Sequence, residues 1–307
     1  MISPSILVER PDPENKTETA EAPDFFADLN LDQIVDSITA GKVEYNLKPF
    51  FYTPLSDIDT IRYRHEVMQD LQHDGLYEKV ASFAQRMRAV REHVAQADKR
   101  YYRYQKQSWF LEAVGIYCQA VHHLTDALAV TDLRSRGFLR FREYFSSYSK
   151  SEPVTSLFRE TNKLTADLST VKYSLLINGN GIKVRKYASE VDYSADVEKT
   201  FAKFKQGAVK DYRVKFLNGP DMNHVEAQIL DFVAQLYPEI FSALDHYSTT
   251  HRHFLDETIS AFDREIQFYI AYLEHTSILK RQGLKFCYPQ ISNGCKKIYD
   301  YDGFDLA

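Results

Sequence analysis

From Glu239 to Arg281 the chain contains neither glycine nor proline. Nothing in that stretch forces the backbone to break, and its apolar residues recur at helical spacing, so the pattern predicts one continuous helix. At about 1.5 Å per residue such a helix spans roughly 60 Å. That exceeds the width of a compact domain of this size, so the stretch reads as a rod or lever and not as a core element. Gly283 supplies its stop.

The rest of the chain is built in the same way. Only 11 glycines and 10 prolines occur in 307 residues. In "NLDQIVDSITAG", Asn30 is placed to cap a helix whose stripe is Ile34, Val35 and Ile38, with Gly41 after its end. Ser56 or Asp57 can cap a helix that puts Ile58, Ile61, Met68 and Leu71 near one face. Leu76 to about Tyr104 reads as one long helix, and Ser108 can start another. "FLRFREYFSSYS" and "PVTSLFRETNKLTADL" follow, the second with Pro153 in a favourable first-turn position.

One region departs from this period. In "VKYSLLINGNGIKVRKY", β-branched and aromatic residues flank Asn-Gly-Asn-Gly at 178–181, a strong hairpin signal. A short helix, "SADVEKTFAKFK", and a third strand candidate at 211–217 come next. The expected fold is mainly α: an elongated helical bundle with long lever helices and a small β-containing insertion. In chain order this gives a disordered or loosely attached arm (1–24) and a helical lever or core domain (25–165). A β-hairpin insertion (166–219), the long returning helix (220–290) and a junction cut short (291–307) complete it.

Several function classes find no support in these residues. No run of about 18 apolar residues is present, so no membrane span is expected. The Pro-rich, acidic N-terminus lacks the apolar core of a targeting peptide. Three cysteines (Cys118, Cys287, Cys295) fit a reducing compartment and no disulfide framework. The expected location is cytoplasmic, and nucleoid-associated given the resemblance described below. Phosphate-binding loops, nucleophile elbows and metal-binding spacings are missing, and "NGNGIK" has the wrong spacing for a phosphate loop. His246, His251 and His253 cluster, but a helix turns His251 away from the other two. His122 and His123, being adjacent, point in different directions. No catalytic residue and no metal site are therefore expected, and the chain reads as a non-enzyme.

Charge is distributed unevenly. Residues 171–215 hold ten Lys or Arg and five acids, a net +5, which leaves −10 on the remainder of a chain whose total is −5. A basic β-insertion on an acidic helical body suits phosphate binding. The same lysines would also blunt the edges of exposed strands. Lys183, Arg185 and Lys186 are the leading candidates for DNA contact, followed by Lys203, Lys205, Arg213 and Lys215.

Three stretches and the order of the elements resemble the lever and clamp region of the MutS family of DNA mismatch-repair ATPases. "PFFYTPLSDIDTIRYRHEVMQDL" is similar to the turn-helix near the start of the family's lever, with Pro54, Leu55, Asp57, Ile61, Arg64 and Val67 in its pattern. "REIQFYIAYLEHTSILKRQGLKFCYPQI" is similar to the end of the long lever helix, with Ile270, Leu273, Glu274, Tyr288, Pro289 and Ile291 matching. "GFDLA" resembles the approach to the family's ATPase domain. The likeness covers about residues 25–307 and lacks the mismatch-reading domain. It implies a region that encloses double-stranded DNA through phosphate contacts and transmits ATP state, in a protein that is a homodimer at full length. ATP and Mg²⁺ would belong to an ATPase domain outside this chain, with no cofactor here. Asp57, Arg64 and Glu274 would be transmission residues, Asp57 as a cap and Arg64 in a buried or interfacial ion pair. The alternative is a helical interaction or dimerisation scaffold that does not bind DNA directly.

Overall fold

The computed structural model describes residues 4–9, 19–73, 75–178, 181–189, 222–294, 297–304 and 306. Among these the chain is mainly helical, with one two-stranded antiparallel sheet. In order come α1 (Phe25–Asp28), α2 (Leu31–Thr39), a 3-10 turn (Val43–Tyr45), α3 (Lys48–Tyr52), α4 (Ile58–Leu71), α5 (Leu76–Lys99), α6 (Arg103–Val130), α7 (Arg136–Ser149) and α8 (Glu152–Ser169). The strands β1 (Tyr173–Asn178) and β2 (Gly181–Lys186) follow, then α9 (His224–Leu236), α10 (Pro238–Thr250) and α11 (Glu257–Arg281).

The long helix expected over 220–290 is three helices. α10 begins at Pro238 and ends at Thr250, with His251 as its C-cap. α11 begins afresh because Asp256 caps it, its carboxylate accepting from the Ile259 amide at 2.9 Å. The same carboxylate accepts from the Tyr144 hydroxyl at 2.8 Å, and Phe254 is buried edge-on to the Tyr117 ring. A capping carboxylate and an apolar anchor thus interrupt a run that no glycine or proline breaks. Gly283 does end α11, at a φ of +96°, where the Leu284 amide bonds back to the Leu279 carbonyl. The helix expected from Leu76 to Tyr104 also stops early, at Lys99. There the buried Arg100 turns its guanidinium onto the Trp109 ring and bonds Gln96 at 2.7 Å. The next helix starts at Arg103 and not at Ser108. Asp57 is the cap of α4, accepting from the Thr60 amide at 2.8 Å. Asn30 precedes α2 in the left-handed region and makes no side-chain cap bond.

The described residues fall into two compact units that interleave along the sequence: 1–91, 114–158 and 253–307 in one, 92–113 and 159–252 in the other. The linear 25–165 domain is thus divided, the boundaries falling inside α5, α6 and α8. Each of these helices is long enough to supply residues to two cores.

In the first unit, Phe83, Phe141, Phe145 and Phe262 form a fully buried aromatic cluster, with Phe141 and Phe262 only 4.4 Å apart at their centroids. Burying each ring contributes about 1.5–3 kcal/mol. Residues 4–9, expected in a loose arm, are instead a strap across this unit. Ile6 and Leu7 are buried, and the Tyr63 hydroxyl donates to the Ser5 carbonyl at 2.6 Å. The Tyr269 hydroxyl donates to the Ile6 carbonyl at 2.8 Å, and half-buried Glu265 accepts from the Ser5 hydroxyl and the Ile6 amide, each at 2.8 Å. These bonds satisfy backbone groups of a segment that lies in no helix or strand. Farther along, Arg136 bonds Glu66 at 3.0 Å and Asp59 at 3.1 Å, and with Arg140 it grips Glu9. Asp70 accepts from the Arg134 and Ser135 amides and so fixes the start of α7. Gly137 lets α7 approach: a Cβ there would lie 2.6 Å from Val67 Cγ2 and 3.0 Å from Ile6 Cδ1.

In the second unit, the Thr161 and Tyr247 hydroxyls bond at 2.6 Å within the core, and Tyr104 packs edge-on to Phe241. Arg103 forks onto Asp245, which also accepts from Gln107 at 2.6 Å. A complete capping box, Asn223 with Glu226, starts α9.

Candidate nucleic-acid interface

The hairpin forms where the sequence changes period. Tyr173 pairs with Lys186 and Asn178 with Gly181, leaving two residues between the strands, the loop length that Asn-Gly favours. Those two residues, 179–180, lie outside the described ones. Alternation then sorts the side chains. Lys183 and Arg185 share one face with Ser174 and Leu176, their cross-strand partners. Lys186 sits on the other face with Tyr173, Leu175 and Val184. Its ammonium lies 4.8 Å over the Tyr237 ring. Tyr237 also donates to the Lys172 carbonyl at 2.6 Å, and α9, which ends beside Tyr237, packs against β2.

Lys183, Arg185 and Lys186 are all exposed. Between 171 and 189 there are four basic residues, Lys172 among them, and no acid. The strand geometry therefore gathers two of the three leading candidates on one face and ties the third to an aromatic ring on the opposite one. Long, solvated side chains of this kind reach a phosphate backbone more readily than base edges. Lys203, Lys205, Arg213 and Lys215 lie outside the described residues, as do the strand candidate at 211–217 and the helix candidate before it.

Asp57, Arg64 and Glu274 belong to the first unit, the hairpin to the second. Asp57 is a solvent-exposed cap whose carboxyl is held below its usual range by the Thr60 hydroxyl and amide. Glu274 is exposed and takes an ion pair from Lys42 at 3.2 Å. Among the described residues Arg64 makes no ion pair, so the buried pair expected of it is not seen there. Its Nε donates to the Leu7 carbonyl at 3.0 Å and its guanidinium lies 5.4 Å from the Phe268 centroid. Burial lowers its pKa, while Tyr269 and Glu265 act in the other direction. The ion pairs of α4 are made by Glu66 and Asp59, to Arg136. The strap that Arg64 holds was hidden in "SILVE", an apolar run inside an otherwise polar arm.

Among the described residues, no group of three or more His, Cys, Asp or Glu is placed to hold a metal ion, and no helix is long and apolar enough to cross a membrane. His251 pairs with Glu160 at 2.8 Å, and neither Cys118 nor Cys287 is in a disulfide. No family model, curated protein or solved structure matches this chain.

Proposed function

We propose that the chain is the DNA-binding lever and clamp region of a MutS-like DNA repair ATPase. In this reading it holds duplex DNA through phosphates and couples that contact to an ATPase domain outside the chain. The observation that carries the reading is the hairpin: an exposed antiparallel pair with four basic and no acidic residues over 171–189, and two of its cations on one open face. Phosphate contact at such a surface is mostly electrostatic, weak and steeply salt-dependent. The family itself rests on the resemblance around Asp57–Val67 and Ile270–Ile291. In the homodimer that the resemblance implies, ATP and Mg²⁺ are held by the ATPase, and Asp57, Arg64 and Glu274 belong to the elements through which its state is felt.

The test is fluorescence anisotropy with a labelled duplex across a salt series, for the chain and for Lys183→Glu/Arg185→Glu/Lys186→Glu. The expected result is binding whose logarithm falls linearly with the logarithm of salt, lost in the triple variant. Binding that survives charge reversal would remove the hairpin from the interface. Self-association without any DNA binding would favour the interaction scaffold.

A further inference from the structure

We propose that the pocket formed by α4, α11 and the segment after Gly283, all within the first unit, binds a small organic carboxylate with a flat apolar body. The pocket encloses about 370 Å³, at the small end of the roughly 300–1,000 Å³ typical of ligand sites. Phe51, Phe268, Tyr272 and Tyr288 supply aromatic walls. The charged groups that line it are Arg64 and Lys280, and among the described residues no carboxylate does.

Arg64 decides the chemistry. Its Nε is committed to the Leu7 carbonyl, but its two terminal nitrogens have no hydrogen-bond partner among the described residues. The carboxylate that acts on it electrostatically, Glu265, is spent on the Ser5 hydroxyl and the Ile6 amide and is not in the lining. A neutral apolar guest would strip water from these N–H groups and leave them unpaired, which opposes its binding. An ammonium or a metal ion would meet two cations and no acid. A polyphosphate would need a denser array of donors than one arginine and one exposed lysine. A carboxylate returns two charge-assisted bonds to the guanidinium fork in the geometry it favours. The guanidinium already lies over the Phe268 ring, 5.4 Å from its centroid, and the other aromatic walls suit a planar body.

The experiment is calorimetric titration of the whole chain with naphthalene-2-acetate and, separately, with naphthalene-2-acetamide, which has the same shape and no charge. The acetate is expected to bind at least tenfold more tightly than the amide. Leu55, a half-buried loop residue in the lining, gives a variant that fills the pocket without touching the strap. Leu55→Trp is expected to weaken both ligands at least tenfold, with the thermal midpoint unchanged. Arg64→Gln is expected to erase the preference for the acetate. Equal affinity for the two compounds, no heat from either at millimolar concentration, or binding unaltered by Leu55→Trp would each overturn the proposal.

Discussion

Arginines and lysines serve opposite ends in two regions of this molecule. Around the strap, Arg136 and Arg140 are surrounded by Glu9, Asp59 and Glu66, and Arg64 is turned onto a backbone carbonyl. Nearly all of that charge is consumed inside the unit. On the hairpin, Lys183 and Arg185 stand on an exposed strand with no acid in the segment. Composition treats the two groups alike. What separates them is the setting: the strap cations sit among carboxylates and carbonyls, and the hairpin cations are solvent-exposed in a segment without acids. Substitutions in the first region should therefore be read in stability, and substitutions in the second only in binding to an anionic partner.

The largest effect belongs to the aromatic core of the first unit. Phe262→Ala removes a ring that touches Phe83, Phe141 and Phe145, and a cavity of that kind costs about 3–5 kcal/mol. Urea unfolding should show a drop of that order. A loss under about 1 kcal/mol would mean that the aromatic cluster is not the centre of the first unit.

Next comes the buried carboxylate of Asp263. Burial pushes it up to about 6, against the pull of the Arg91 guanidinium, which it meets directly. One of its oxygens has no hydrogen-bond partner, which favours the protonated form. Its ordinary value is 3.8, so between about 4 and 6 the native state holds a proton that the unfolded chain has released. Stability from this group is present below about 4 and is lost as pH rises to about 6, by roughly 3 kcal/mol in total. Glu265 is shifted in the same direction by burial, so removing Asp263 should reduce that slope without abolishing it. The check is the thermal midpoint across this pH window for the chain and for Asp263→Asn. Parallel curves would show that the carboxylate ionises as freely folded as unfolded.

Gly137→Ala comes third. Its Cβ would press on Val67 and Ile6, both fully buried, and on the Tyr63 hydroxyl at 3.1 Å. Overpacking of this kind costs about 1–3 kcal/mol. Because Ile6 is one of the side chains that must yield, proteolysis of residues 4–9 should quicken in the variant. An unchanged cleavage rate would detach the strap from α7.

Much of the helical fold was legible because local signals are self-contained. Asp57 as a cap, Gly283 as a stop and the two residues between Asn178 and Gly181 each act within a few positions of the chain. What escaped is non-local. The break at 251–256 depends on Asp256 meeting Tyr144 and on Phe254 meeting Tyr117, more than a hundred residues away. The strap depends on hydroxyls of Tyr63 and Tyr269 reaching backbone carbonyls, and a tyrosine at a helical spacing does not announce its partner. Periodicity tells which face of α5, α6 or α8 is apolar. It does not tell that one such helix serves two cores. The hairpin cations could be read from sequence, but their division between faces needed the register.

That division sets the smallest effects on stability and the sharpest test of the contrast. Replacing Lys183 and Arg185 with glutamine removes two exposed charges and should leave stability within about 0.5 kcal/mol. If the hairpin carries DNA, the same pair should lower the salt slope of binding by about 2, one per lost phosphate contact. Lys186→Gln should do less. Its ammonium rests on Tyr237 across the sheet from the other two, so a backbone docked on the Lys183 face leaves it out of reach. Anisotropy of the two variants at matched salt distinguishes the faces. An equal loss per charge from Lys186 would mean that the duplex wraps both sides of the hairpin, and a change in unfolding midpoint without a change in slope would mean that these cations, like those around the strap, are used within the protein.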